Sequence, residues 1–200
     1  MPASRLSPAA NPDARDRLLD TASLLFASHG YQAIGLRDLA SHLGLRAGSL
    51  YHHIESKQGL LFELIESSLT DLLYETRQSL KGARSHDERL RCFVQTFMAY
   101  RQAHPDKLTL LTREAVNLNA EQARQVELLK SAYSALLSEI VTAECRLRGP
   151  ASAPLARSIA QAVLSLLCGQ VQWGEVANAR DEMMRFVQGI VGAGKGAAAH

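Results

Sequence analysis

Signals that start and stop helices recur along the whole chain, and no segment shows the apolar alternation of a strand flanked by hairpin turns. Asn11-Pro12 pairs an N-cap residue with a proline in the first helical turn, and Gly30 can end that helix as a C-cap. Further polar residues that can cap helices precede apolar segments at Ser56, Ser85, Asn119, Ser152 and Asn178. This punctuation predicts an all-α fold.

A short motif near the N-terminus predicts how two of these helices cross. The segment Gly35–Ile54 reads GLRDLASHLGLRAGSLYHHI, with Ala40, Gly44 and Leu50 at offsets of four and six residues. A small residue at Ala40 lets two helices approach closely, and Gly44 can take the positive φ of a tight turn. This spacing is typical of a helix-turn-helix, whose second helix lies in the DNA major groove. The same spacing also occurs in helical hairpins of unrelated function.

The predicted second helix, from about Ala47 to His53, exposes side chains suited to DNA. Arg46 and Ser49 can donate to base edges or phosphates, and a glycine at 48 allows close approach to the groove. Lys57 opens the next helix, whose free N–H groups add to an anion site. The predicted DNA-binding residues are Arg37, Arg46, Ala47, Gly48, Ser49, Tyr51, His52, His53 and Lys57.

Residues 11–65 resemble the N-terminal domain of the TetR/AcrR family of bacterial regulators. The resemblance rests on Phe26-x3-Gly30-Tyr31, Leu36-Arg37-Asp38-Leu39-Ala40, Gly44, Gly48-x-Leu50-Tyr51-His52-His53 and Ser56-Lys57. It implies three DNA-binding helices, a linking fourth helix, a larger helical ligand-binding domain and a dimer built on the last two long helices. Two positions depart from the family pattern. Gly35 stands where Thr or Ser usually caps the second helix, and Ala47 stands where Lys is common.

The breaks divide the chain into five expected parts, with Lys81-Gly82 as the clearest junction. We expect a flexible arm at 1–11, a helix-turn-helix domain at 12–55 with its motif at 35–54, and a linking helix at 56–81. A ligand-binding and dimerisation domain follows at 82–192. The Gly/Ala-rich end, 193–200, is expected to be a disordered tail.

The second domain shows apolar faces, and the resemblance implies a ligand cavity between them. Each aromatic residue there also fits a plain core position, and Arg113 and Glu114 fit either buried ligand anchors or a solvated face. The candidate ligand-binding residues are Phe93, Phe97, Tyr100, Leu111, Arg113, Glu114, Tyr133 and Trp173.

A stripe of small residues, Ser158, Ala162, Ser165 and Gly169, allows close helix packing in the penultimate long helix. With the last helix it is compatible with a dimer-forming four-helix bundle, the alternative being a core within one chain. A two-fold dimer would read a palindrome, which a single motif cannot. The predicted dimer residues are Leu155, Ile159, Ala162, Val163, Leu166, Met183, Phe186 and Val187.

Composition limits the other function classes. The net charge is only +2, and residues 1–57 hold six Lys/Arg against five Asp/Glu, so a DNA-facing surface must arise from placement. Three scattered cysteines, Cys92, Cys145 and Cys168, favour a reducing cytoplasm and inert buried thiols over a redox sensor. No membrane span, metal site, cofactor or catalytic constellation is expected.

The sequence thus predicts a cytoplasmic, homodimeric transcriptional regulator that binds a double-stranded DNA operator. We expect a repressor that leaves a palindromic operator when a small, largely apolar effector binds, although activation is also open. The alternatives are a DNA-binding protein of this fold governed by a protein partner or without a ligand, and, more remotely, a helical-bundle enzyme.

Overall fold

The computed structural model describes residues 12–51, 54–173 and 179–197. At positions 12–13, 47, 170–173, 179–180 and 196–197 it describes the backbone alone. The described residues form helices and turns with no strand, so the all-α prediction is confirmed. The predicted arm at 1–11 and the Asn178 cap lie outside the described residues.

The helices follow one another with short connections. They are α1 (Pro12–His29), α2 (Leu36–His42), α3 (Ala47–Leu50), α4 (Lys57–Leu80), α5 (His86–Ala103), α6 (Pro105–Thr109), α7 (Ala120–Glu144), α8 (Ser152–Trp173) and α9 (Ala179–Ala197). A π-helical turn, Leu110–Glu114, and a 3-10 turn, Ala115–Asn117, join α6 to α7. We call the two turns together the junction segment (110–117).

The predicted caps account for several helix starts. The Ser56 hydroxyl accepts from the Gly59 N–H at 2.9 Å, and Asn119 Oδ1 accepts from the Gln122 N–H at 2.9 Å. Ser85 Oγ accepts from the Glu88 N–H at 3.1 Å. The Glu88 carboxylate in turn accepts from the N–H of Arg84 at 2.7 Å, one residue before the position that it bonds in a capping box. Each bond satisfies a backbone donor that the helix itself leaves open.

Two apolar cores divide the molecule. The first joins α1, α2, α3 and the N-terminal part of α4, with Leu18, Phe26, Leu39 and Leu61 almost fully buried. The second joins the rest of α4 with α5, α7, α8 and α9. Because α4 contributes residues up to Leu69 to the first core and from Leu72 to the second, this one helix links the two cores.

The junction segment returns to the first core, which the sequence did not predict. Leu110 is 0% exposed and belongs to the first core, although it follows α5 and α6 in the chain. Leu111, the next residue, is half-buried and packs against both cores. Part of the predicted 82–192 unit therefore packs within the helix-turn-helix domain.

The predicted disordered tail is wrong for residues 193–197, because α9 continues through them. Alanine favours helix strongly, and this turn packs against the body of the protein. Gly194 lies so close to Ile159 that a side chain there would overlap it, and Lys195 Nζ lies 2.7 Å from Glu144 Oε1. Residues 198–200 lie outside the described residues.

Candidate nucleic-acid interface and ligand cavity

The turn between α2 and α3 has the geometry that its motif predicts. Gly44 adopts φ +67°, and the Leu45 N–H donates to the Ala40 carbonyl at 2.8 Å. Ala40 and Leu50 are buried where the two helices meet. Because a left-handed conformation is costly for residues other than glycine, Gly44 sets the angle at which α3 leaves α2.

The start of α2 is capped in a way that compensates for Gly35. Asp38 Oδ2 accepts from the Gly35 N–H at 2.7 Å, so the carboxylate one turn later satisfies the backbone donor. The negative charge also lies near the positive end of the α2 dipole. The exposed Arg37 is the cation that remains at this end of α2 for a DNA phosphate.

The predicted DNA-binding side chains lie on one accessible region. Arg46 is the N-cap residue of α3, and Arg46, Gly48 and Tyr51 are exposed, whereas Ser49 is half-buried. The α-helix ends at Leu50, earlier than expected. His52 and His53 lie outside the described residues, and Ala47 is described by its backbone alone.

Lys57 is placed by an aromatic ring at the start of α4. Its ammonium lies 4.1 Å from the centre of the Tyr31 ring and 5.8 Å from that of Phe26. Burial lowers the pKa of Lys57, while the carboxylates of Asp38 and Glu114 oppose this change. Lys57 is therefore half-buried beside the helix N-terminus, where we predicted a phosphate contact.

A cavity of about 980 Å³ lies between α7 and α8 and extends to α4, α5 and the junction segment. Its inner wall is apolar, formed by Leu69, Leu72, Phe97, Leu111, Tyr133 and Leu164. Towards the surface it is lined by hydroxyl groups, with Lys130 and Arg157 as its cations and Glu127 and Glu139 as its anions. The cavity thus offers an apolar region and a polar region to one ligand.

Three of the eight predicted ligand-binding residues line this cavity: Phe97, Leu111 and Tyr133. Four of the others lie outside its lining, and the side chain of the fifth is not described. Phe93 is fully buried behind Tyr133, with 4.9 Å between ring centres. Trp173 is described by its backbone alone.

Three further predicted ligand-binding residues lie outside this cavity lining. Tyr100 is buried, with its hydroxyl donating to the Ser68 carbonyl at 2.9 Å. Arg113 is exposed outside the cavity lining. Glu114 accepts from Asn117 Nδ2 at 2.9 Å in the junction segment, close to the DNA-binding helices.

Sequence reasoning missed the row of hydroxyls that faces the cavity from α7. Ser131, Ser134, Ser138 and Thr142 follow one another at intervals of three or four residues, which places them on one side of the helix. This spacing is present in the sequence and indicates a hydroxyl-bearing face of the helix. Ser138 and Thr142 each donate to the carbonyl four residues earlier, so their oxygens are left to accept hydrogen bonds from a ligand.

Four predicted dimer residues belong to the core of a single chain. Ile159, Val163, Met183 and Val187 are buried against α5, α7 or each other's helix, so their prediction as interface residues is wrong. The small-residue stripe is instead accessible, with Ser158, Ala162 and Ser165 exposed and Gly169 half-buried. On α9 Phe186 is 55% exposed, and Leu155 and Leu166 on α8 are half-buried.

Two cysteines are shielded by packing. Burial raises the pKa of both Cys145 and Cys168 thiols. The Cys145 thiol donates to the Val191 carbonyl at 3.4 Å, and Cys168 lies in the cavity wall. Both groups are predominantly protonated at neutral pH, which disfavours reaction with oxidants.

Across the described helices, none combines the length and apolar character needed to cross a membrane.

Two protein-family models match the chain. The model described as bacterial regulatory proteins of the tetR family matches residues 18–64, and the model described as a tetracyclin repressor-like C-terminal domain matches residues 83–175. Together the matches cover more than half of the chain. The N-terminal and C-terminal models match the chain in the order that the resemblance of its N-terminal residues implies.

Relatives of known sequence or structure agree with these matches. The HTH-type transcriptional repressor KstR2 of Rhodococcus jostii is 37% identical over 82 residues, which are 41% of this chain and 40% of that protein. The chain therefore aligns with about two fifths of the length of this curated relative. The crystal structure of PfmR, a TetR-family regulator from Thermus thermophilus, is 26% identical with a TM-score of 0.76, covering 88% of this chain and 97% of PfmR. KstR2 of Mycobacterium tuberculosis, a ketosteroid transcriptional regulator, is 21% identical with a TM-score of 0.77, covering 94% and 98% respectively, and supports the fold.

Proposed function

The chain belongs to the tetR family of bacterial regulatory proteins, and from this membership we propose that it is a DNA-binding transcriptional regulator controlled by a small molecule. In this proposal a homodimer binds a palindromic operator and represses transcription, and ligand binding in the cavity releases the DNA. The observation that carries the proposal is the placement of Leu110 in the core of the helix-turn-helix domain beside Leu111 and Thr112 in the cavity wall.

The DNA-binding half of the proposal rests on the exposed end of α3. Arg46 and Tyr51 are free to reach base edges and phosphates, and the open space around Gly48 lets the backbone approach the groove closely. Lys57 and the N–H groups of α4 add a phosphate site. Since the net charge is close to neutral, affinity comes from these placed groups.

The cavity supports an amphipathic effector in place of the largely apolar one expected from the sequence. An apolar part of the ligand would contact Leu69, Leu72 and Phe97. Its polar part would lie among the α7 hydroxyls, near Gln161 of α8. An entirely apolar ligand would give no hydrogen bond to the acceptor oxygens of these hydroxyls or to the Gln161 amide, which is unfavourable.

Coupling between the two halves follows from the junction segment. A ligand that displaces Leu111 or Thr112 also strains Leu110, because adjacent residues share one backbone. The first core is closely packed, so this strain would be relieved by rotation of α1 and α4. A ligand shifts the equilibrium only if it binds the released conformation more tightly.

For the dimer we propose the exposed face of α8 together with Phe186 of α9. Ser158, Ala162 and Ser165 allow close approach of a second copy, and Phe186 supplies apolar area. Isologous contact of this face would relate two α3 helices by a two-fold axis, as a palindrome requires.

The test is selection from a library of random duplex DNA by the full-length protein at several salt concentrations. We expect a palindrome with half-sites about one helical turn apart, and affinity that falls steeply with salt. Arg46→Ala should weaken binding about tenfold or more. The matched control, Arg148→Ala, removes an exposed arginine after α7 and should leave affinity unchanged. Sequence-blind binding by the wild-type protein would refute the proposal.

The ligand half is tested separately with 1-anilinonaphthalene-8-sulfonate and decanoate as amphipathic probes. Ser134→Trp places a large side chain in the cavity and should abolish the rise in melting temperature that these probes cause. Ala99→Trp, at an exposed position of α5, should retain it. Equal probe binding by both variants would show that the probes do not bind in the cavity.

A further inference from the structure

A cluster of amide side chains connects the junction segment to the DNA-binding helices. Asn117 lies at its centre and is half-buried. Its Oδ1 accepts from Gln32 Nε2 at 2.6 Å, and its Nδ2 donates to Glu114 Oε2 at 2.9 Å. Its backbone carbonyl accepts from Gln58 Nε2 at 2.9 Å. One residue therefore binds the connection after α1, the first turn of α4 and the end of the π-helical turn.

The residues that Asn117 holds are direct neighbours of the Lys57 site. Gln32 follows Tyr31, and Gln58 follows Lys57, whose ammonium lies 4.1 Å from the Tyr31 ring centre. Burial lowers the pKa of Lys57, and the Glu114 carboxylate is one of two negative charges that oppose this change. The cluster and the cation–π contact thus hold the same two backbone segments against each other.

We propose that Asn117 is a positioning residue for DNA binding, which holds Lys57 where it contacts an operator phosphate. The inference rests on the proposed function. It deepens that function by assigning the link between cavity and DNA to a particular set of bonds. Thr112 lines the cavity two residues before Glu114, so movement of the cavity wall changes the geometry of Glu114 and Asn117. The intact cluster belongs to the operator-binding conformation.

The experiment reverses the direction of one hydrogen bond with side chains of nearly the same size. Asn117→Asp keeps the acceptor for Gln32 but removes both bonds that Asn117 Nδ2 donates to Glu114, to Oε2 at 2.9 Å and to the backbone carbonyl at 3.2 Å. In the double variant Asn117→Asp with Glu114→Gln, the new amide donates to the new carboxylate and the bond returns with its polarity exchanged. We expect the single variant to bind the selected operator about tenfold more weakly and the double variant to recover part of that loss, because the side-chain bond returns and the bond to the Glu114 carbonyl does not.

Two further measurements separate positioning from simple destabilisation. If Asn117 acts through Lys57, Asn117→Asp should cause no further loss of operator affinity in a Lys57→Ala background. The slope of log affinity against log salt should also fall by about 0.9 for each phosphate that the protein no longer neutralises. Gln122→Glu is the matched control, because it adds one negative charge near Asn117 and its carboxylate keeps the bond that Gln122 Oε1 accepts from the Asn119 N–H.

Each outcome decides the inference. Unchanged operator affinity and salt slope in Asn117→Asp, or an equal loss in the Lys57→Ala background, would overturn it while leaving the proposed function intact. If Asn117→Asp does not fold, Gln32→Ala and Gln58→Ala remove the outer partners, and wild-type affinity in both would overturn it. Absence of sequence-specific binding by the wild-type protein would instead refute the proposed function itself.

Discussion

Replacing Leu110 by alanine tests whether the junction segment is an integral part of the helix-turn-helix domain. The side chain is 0% exposed and packs in the first core, so its removal leaves a cavity that helices from two parts of the chain would have to close. Leu→Ala changes at such sites cost about 2–5 kcal/mol, and we expect about 3 kcal/mol here. For a protein of this size that corresponds to a fall in melting temperature of roughly 6–12 °C.

The assay is urea unfolding followed by circular dichroism, with Val116→Ala as its control. Val116 lies in the same segment but is 86% exposed, so its truncation should change the free energy of unfolding by less than about 0.5 kcal/mol. If Leu110→Ala cost no more than Val116→Ala, the segment would not be packed as described. The proposed route from the cavity to the DNA would then lose its basis.

Two further predictions concern the C-terminal helices and the second core. Gly194→Ala should lower the free energy of unfolding in urea by about 1–3 kcal/mol, since the new Cβ would overlap Ile159. The control, Gly192→Ala, changes an exposed position and should be neutral or slightly stabilising. Equal effects of the two substitutions would contradict the packing of the last turn of α9. Burial raises the pKa of Tyr133, so the unfolded state loses this proton first, near pH 10, and the folded state retains it. The contribution of the protonated Tyr133 to the free energy of unfolding is therefore fully present below about pH 10 and is lost as the pH rises above it. In the same assay, Tyr133→Phe should lose less stability than the wild-type protein between about pH 9 and pH 11. Parallel losses in the two proteins would contradict burial of this hydroxyl.

Local features of the fold were predictable because their causes lie within a few residues. Gly44 takes the positive φ that the tight turn requires. Ser56 and Asn119 cap their helices by accepting from the backbone N–H three residues later. The family motif adds long-range order to these signals. The crossing of α2 and α3 therefore followed from the sequence.

The cavity lining was less predictable because it depends on how each helix is rotated about its axis. Phe93 and Phe97 lie one turn apart on α5, yet Phe93 packs behind Tyr133 and Phe97 reaches the cavity. Aromatic character marks both equally. The serines of α7 form its other wall, and only the packing of α7 on α8 distinguishes them from a solvated face.

The dimer residues show a related limit. Ile159 and Val163 have the same apolar character whether they pack in their own chain or against a second copy, and hydrophobic spacing cannot separate the two. Small residues were the better guide to the accessible face of α8. The continuation of α9 past residue 192 was missed because it depends on contact of Gly194 with Ile159.

The distribution of the cavity walls has a consequence for engineering this protein as a biosensor. Ser134 lines the outer part of the cavity and lies about 12 Å along α7 from Val126, which is buried in the first core. Substitutions at Ser134, Ser138 and Thr142 can therefore change which ligands the cavity binds while the helix-turn-helix domain stays intact. Leu111 and Thr112 form the proposed connection from the cavity to the DNA-binding helices. A library that randomises these two residues would select for an altered response of DNA binding as much as for new ligands.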